Sequence, residues 1–176
     1  IYIHIPFCKS KCPYCDFYSF KPDEAQKDSY LKAVLRYLEE NKSQIKTPVD
    51  TVYFGGGTPS FFGGERIKSV IDCIKENYNL VSPEITVECN PNTATKEFFD
   101  NISKNGVNRV SIGLQSANND ELSFLTRTHS CNDVMTAVTN AKLAGIDNIS
   151  LDIMIGLKNQ TISSLGLYYS LNTQSQ

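Results

Sequence analysis

Short apolar segments with a period of two alternate with longer amphipathic ones along the chain. Ile1 to Ile5 reads as a strand, with Ile1, Ile3 and Ile5 on one face and Tyr2 and His4 on the other. Residues 24–41 then gather Tyr30, Leu31, Val34, Leu35 and Leu38 on one face of a helix. The same alternation predicts strands at 51–54, 85–89, 107–115 and 148–155. Between them it predicts helices at 64–78, 95–104, 119–126 and 131–144, and a last helix after Gln160. The punctuation agrees: Asn105-Gly106 and Gly145 are helix stops, and Ser130 with Asp133 forms a capping-box pattern. Residues 42–48 read as a polar loop rather than a domain boundary.

Strand–helix alternation means βαβ units, right-handed crossovers and a parallel sheet. The expected fold is α/β, a parallel-stranded partial (βα) barrel, and the pattern alone leaves a flat doubly wound sheet open. The strand faces sharpen this. Ile85, Val87 and Cys89 oppose Thr86 and Glu88; Val110, Ile112 and Leu114 oppose Ser111, Gly113 and Gln115; Ile149, Leu151, Ile153 and Ile155 oppose Ser150, Asp152 and Met154. A parallel sheet covered by helices on both sides is apolar on both faces. Here one face is polar, which implies a wet lumen or a polar ligand. Glu88, Gln115 and Asp152 come late in their strands, towards the carboxyl ends where parallel α/β folds place their sites.

Composition narrows the function classes. The net charge is −2, which gives no electrostatic case for nucleic acid. No apolar run approaches the roughly 20 residues that span a bilayer, and no secretory pattern is visible, so the expected location is cytoplasmic. The chain opens inside a strand without a methionine, which reads as part of a longer protein. Of its six cysteines, three crowd together as Cys8-Lys-Ser-Lys-Cys12-Pro-Tyr-Cys15, directly after the first strand. Cys73, Cys89 and Cys131 are scattered and read as structural.

Three thiolates spaced C-x3-C-x2-C on one loop can hold a metal cluster. A structural zinc would want a fourth donor, and His4 is the nearest one, although it sits in a strand. A [4Fe–4S] cluster held by three cysteines instead keeps one iron open for a ligand. Gly55-Gly56-Gly57-Thr58-Pro59-Ser60 follows the second strand. It lacks the Gly-Lys-Ser/Thr ending of a Walker A loop, and by itself reads as a tight turn.

The opening Tyr2-Ile-His-Ile-Pro-Phe-Cys8-Lys-Ser-Lys-Cys12-Pro-Tyr-Cys15-Asp-Phe-Tyr resembles the radical S-adenosylmethionine (radical SAM) family of oxygen-independent coproporphyrinogen III oxidase and its haem-chaperone relatives. The resemblance runs to about residue 160. It implies a [4Fe–4S] cluster on Cys8, Cys12 and Cys15, with S-adenosylmethionine chelated at the open iron and cleaved to a 5′-deoxyadenosyl radical. It also implies cofactor contacts from Tyr2, Tyr14, Gly56, Gly57, Thr58, Glu88, Gln115, Arg127 and Asp152. His129 reads as a loop residue.

Two departures bear on function. Where the oxidase branch carries another cysteine, two places after the third, this chain has Phe17, which tilts the resemblance towards haem chaperones. Where Gly-Leu-Pro-Gly-Gln-Thr is expected after the fifth strand, it has Gly156-Leu-Lys158-Asn159-Gln-Thr161. The resemblance therefore implies a haem chaperone first, with haem or porphyrin, a haem-acceptor protein and an electron donor as partners. Oxidative decarboxylation of coproporphyrinogen III comes second, and a plain metal-binding module third. It further implies that residues 1–176 are the N-terminal part of a radical SAM core, stopping before the last strand and the family's C-terminal domain. The missing strand would leave a sheet edge unpaired and apolar surface exposed, so the fragment is expected to be inactive alone.

Overall fold

Each apolar segment of period two becomes a strand, and the amphipathic segments between them become the helices that cover one face. The computed structural model describes residues 1–164. The strands are β1 (Tyr2–Ile5), β2 (Val49–Gly56), β3 (Leu80–Cys89), β4 (Arg109–Gln115) and β5 (Asn148–Ile153). The helices are α1 (Glu24–Asn41), α2 (Pro59–Phe62), α3 (Gly64–Asn77), α4 (Lys96–Lys104), α5 (Asn119–Phe124) and α6 (Cys131–Leu143). A single 3-10 turn, Lys42–Gln44, lies within the polar loop after α1. Of the helix expected after Gln160, residues 162–164 are helical, and the rest of that expectation falls outside the described residues.

All four strand pairings are parallel, and the spatial order is β1-β2-β3-β4-β5. An order that never reverses decides between the two architectures left open. Right-handed crossovers in one direction put every helix on the same face, as in a barrel wall, whereas a doubly wound sheet reverses at a switch point.

The aliphatic faces therefore pack outward under α1, α3, α4 and α6. Ile3, Ile5, Val52, Phe54, Ile85, Val87, Cys89, Val110, Ile112 and Leu114 join Leu38, Ile67, Val70, Ile71, Ile74, Phe99, Ile102, Val134, Ala137 and Ala141 in one continuous core. Fully burying each large side chain contributes about 1.5–3 kcal/mol. Caps fix the helix starts. Asp23 and Gln26 form a capping box on α1, Ser130 and Asp133 form one on α6, and Thr95 caps α4. Gly106 (φ 100°) and Gly145 (φ 83°) supply the left-handed residue after α4 and α6.

The opposite, polar face is in register across the sheet. Tyr2, Tyr53, Thr86, Arg109 and Asn148 form one row, and Gly113 pairs with Asp152 nearer the carboxyl ends. Among the described residues, no helix is long and apolar enough to cross a membrane.

Candidate functional site

The cysteine loop is tied down at both ends before any metal is considered. Phe7 and Phe20 form a bridge at its base, with Cys8 N–H donating to the Phe20 carbonyl and Phe20 N–H to that of Pro6, both at 3.0 Å. Phe7, 1% exposed, stacks edge-to-face on Phe20 and Tyr30. Lys11 Nζ donates to the Phe17 carbonyl at 2.9 Å. His4 lies 3.0 Å from both the Tyr2 hydroxyl and the Tyr18 carbonyl. Those contacts occupy both ring nitrogens, so His4 braces the loop and is not a spare fourth ligand.

The glycine loop packs directly on this segment. Gly57 N–H donates to the Ile5 carbonyl at 2.7 Å and Thr58 N–H to the Phe7 carbonyl at 2.8 Å. A Cβ on Gly57 would lie 2.7 Å from the Phe7 carbonyl oxygen, and one on Gly56 (φ 106°) would lie 2.5 Å from the His4 ring. Only glycine permits this approach. It brings the Thr58 hydroxyl to 3.4 Å from Cys8 Sγ.

On the polar face, Glu88 accepts from the Tyr53 hydroxyl at 2.8 Å and from Gly56 N–H at 3.0 Å. Burial pushes its carboxyl above the ordinary value, and those two donors oppose the shift. The same burial, aided by the Glu88 charge, raises the Tyr2 phenol. Tyr53 also rises, through burial and its bond to Glu88. Asp152 accepts from the Ser111 hydroxyl at 2.8 Å. Gln115 ends β4 with φ 64°, and its carbonyl takes the Met154 N–H at 2.9 Å. Arg127 donates to Cys12 Sγ at 3.7 Å and to the Gly113 carbonyl at 3.2 Å. Burial pushes the Tyr14 phenol up to about 12, with Arg127 acting against the rise and Cys12 with it.

The residues singled out on sequence are thus linked into neighbouring contacts. Thr58 touches Cys8, Arg127 touches Cys12, Gly56 touches Glu88, and Tyr14 feels both Arg127 and Cys12. Tyr2 reaches Glu88 through its charge, and Asp152 is held separately by Ser111 on the same face. A cleft of about 460 Å³ between β1 and α1, lined by Tyr2, Ile3, Tyr30, Val34, Leu38 and Tyr78 among others, has none of the three cysteines in its wall.

Three further residues contribute that no motif in the sequence marks. A Cβ on Gly113 would stand 2.9 Å from Gln115 Nε2 and 3.3 Å from Arg127 Nη2, so glycine there makes room for both. Its place on the polar face between two candidate residues was the available signal. Ser111 and Tyr53 position the two carboxylates, and the period-two pattern already faced Ser111 towards them. His129 does lie between elements, as expected, but it is only 4% exposed and belongs to the polar chain behind Arg127.

The donor set fits an iron–sulfur cluster. Cys8, Cys12 and Cys15 are half-buried free thiols on one pinned loop, and two of them already accept hydrogen bonds of the kind that tune cluster sulfur. Among the described residues, no three His, Cys, Asp or Glu side chains close round a single ion. A cluster engages each thiolate through a separate iron, so its ligands stand farther apart than those of one ion. Cys89 and Cys73 take no part: both are buried, and burial raises their thiols.

Residues 2–169 match the Radical SAM superfamily, and the chain belongs to that superfamily. Within it, the chain is 39% identical over 176 residues to the heme chaperone HemW of Buchnera aphidicola subsp. Schizaphis graminum, covering 97% of this chain and 46% of that protein. It is 37% identical over 175 residues to the heme chaperone HemW of Bacillus subtilis, covering 98% and 46%. The chain spans a little under half the length of these curated relatives. Its fold is similar to that of coproporphyrinogen III oxidase (HemN) from Escherichia coli, a radical SAM enzyme, with a TM-score of 0.88 and 24% identity, covering 99% of this chain and 41% of that one.

Proposed function

We propose that this chain is the cofactor-holding part of a cytoplasmic haem chaperone, the N-terminal portion of a radical SAM core. Cys8, Cys12 and Cys15 hold a [4Fe–4S] cluster. Gly56, Gly57, Thr58, Glu88, Gln115, Arg127 and Asp152, with Tyr2 and Tyr14, receive S-adenosylmethionine beside it. Haem is bound by the whole protein and passed to an acceptor, with an electron donor serving the cluster. The observation that carries the cofactor reading is the contact of the glycine loop and Arg127 with the cysteine loop, through Thr58 to Cys8 and Arg127 to Cys12.

When bound, the cluster would supply an electron for reductive cleavage of S-adenosylmethionine. The chain's own residues do the rest. Glu88, kept in place by Tyr53 and Gly56, offers a carboxylate to the cofactor's ammonium or ribose hydroxyls. Arg127 offers a fixed cation for the cofactor's carboxylate. The glycine loop lets backbone approach where a side chain would collide.

Haem delivery is favoured over porphyrinogen oxidation by similarity to HemW proteins across nearly the whole chain, and by Phe17. Its ring is 65% exposed at the place where the oxidase branch has a cysteine. The test uses the full-length protein, reconstituted without oxygen. Stoichiometric haem binding and transfer to an apo-haemoprotein, with coproporphyrinogen III left unchanged, supports the chaperone reading. Turnover of coproporphyrinogen III to a decarboxylated product, without haem transfer, would replace it with the oxidase.

A further inference from the structure

We infer that His129 is a positioning residue that aims the Arg127 guanidinium at the cluster ligand Cys12. The inference rests on the radical SAM reading of the site and adds a residue to it.

The geometry begins in the backbone. The turn that closes α5 holds Thr126 in the left-handed region (φ 55°), with Thr126 N–H on the Ser123 carbonyl and Arg127 N–H on the Leu122 carbonyl, each at 2.9 Å. This is a Schellman closure with threonine where glycine is usual. It delivers Arg127 towards β4. All three guanidinium nitrogens then find acceptors: Nε meets His129 Nδ1 at 3.3 Å, Nη2 the Gly113 carbonyl at 3.2 Å, and Nη1 Cys12 Sγ at 3.7 Å.

His129 is buried and its proton is assigned by its partners. Nε2 lies 3.0 Å from the Leu114 carbonyl, which can only accept, so Nε2 carries the hydrogen. Nδ1 is therefore a lone pair, and it receives the Arg127 Nε–H. The ring is held between β4 and the arginine, and it fixes the plane of a side chain that would otherwise sample many rotamers. A guanidinium has five N–H donors, so some remain for a ligand's carboxylate. An N–H donated to a cluster thiolate stabilises the reduced, more negative cluster and raises its potential. Partners one shell removed from a metal typically alter affinity or activity by roughly 10- to 100-fold.

Two substitutions separate positioning from mere packing. His129→Gln retains a donor near the Nε2 position for the Leu114 carbonyl and loses the acceptor at Nδ1. His129→Asn retains an acceptor near Nδ1 and loses the donor. In the full-length protein with its cluster, the reduction potential, the binding of S-adenosylmethionine and the melting temperature are measured for each. The inference predicts a lower potential and roughly tenfold weaker cofactor binding for His129→Gln at near-wild-type melting temperature. It predicts a lower melting temperature but near-wild-type potential and binding for His129→Asn. A His129→Gln protein with wild-type potential and binding overturns it, and so does loss that tracks the melting temperature in both variants. If His129→Gln takes up no cluster, His129→Asn decides: a wild-type potential supports the inference, and a potential as low as that of Arg127→Ala overturns it. A wild-type cluster indifferent to S-adenosylmethionine sinks the functional reading itself, an outcome distinct from variants that behave like a responsive wild type.

Discussion

Glu88 is a half-buried carboxylate held by a phenol and a backbone N–H in front of a glycine loop. Replacing it with glutamine keeps the size, leaves one oxygen to accept from Gly56 N–H while the amide NH2 donates to the Tyr53 oxygen, and removes the charge. A hydrogen bond to a charged group contributes about 1.5–3 kcal/mol. Glu88→Gln should therefore weaken S-adenosylmethionine binding roughly 10- to 100-fold by calorimetry, with little change in melting temperature.

His129 predicts a pH effect. Burial, followed by the Arg127 charge, holds its ring below the ordinary histidine value of 6.5, against the pull of the Leu114 carbonyl and Asp133. The unfolded chain takes up a proton near that value and the folded chain resists it. Stability is therefore complete above it and falls as the pH drops below it. The raised carboxyl of Glu88 works in the opposite sense, gaining its proton first in the folded state. The difference between wild type and His129→Asn isolates the histidine: between about pH 7 and 5 the metal-free wild type should lose more melting temperature than the variant. Equal slopes would contradict this. At this scale Glu88, Gln115 and Asp152 were legible because strand periodicity fixes their face. His129 was not, because a loop histidine is buried or exposed according to what packs on it, and its neighbours come from β4.

Among the elements, local chemistry decides how closely the sequence pattern and the observed bounds agree. α1 runs Glu24–Asn41, as its apolar spacing predicts, and α6 starts at the capping box of Ser130 and Asp133. Bonds from Ser130 hold the Asp133 carboxyl below its ordinary value. Ser130→Ala should cost about 1 kcal/mol in chemical denaturation; an unchanged midpoint would show that packing alone starts this helix. β3 is longer than its pattern, beginning at Leu80 rather than 85, because Leu80 pairs with Val49 across an irregularity that includes Ser82 at φ 43°. Pro83 hides that extension from a periodicity argument. α2 was missed altogether: four residues, Pro59–Phe62, show no helical period. β5 stops at Ile153 instead of 155, where Met154 N–H turns to the Gln115 carbonyl.

For the whole molecule, the alternation of strands and helices gave the α/β class, but curvature was not readable from it. A partial barrel and a doubly wound sheet share local patterns and differ only in strand order, which is a property of long-range pairing. The order β1 to β5 without reversal leaves one face free of helices, and the polar residues occupy that face. Thr86, Arg109 and Ser150 are hydrogen-bonded together near its floor, while Gly113, Asp152 and Gln115 lie towards the carboxyl ends. The cysteine loop follows β1 and the glycine loop follows β2, so adjacent parallel strands deliver the two loops to the same end of the sheet. Distances between loops were beyond the sequence, but which end they share follows from parallel pairing alone.

The site depends on this loop holding a cluster with an iron left open for S-adenosylmethionine. Electron paramagnetic resonance of the anaerobically reconstituted, reduced protein tests it most directly. The expected result is a [4Fe–4S]⁺ signal that changes when S-adenosylmethionine is added, and that is lost when Cys8, Cys12 or Cys15 is replaced by alanine. A protein that takes up no cluster, or whose signal ignores the cofactor, would contradict it.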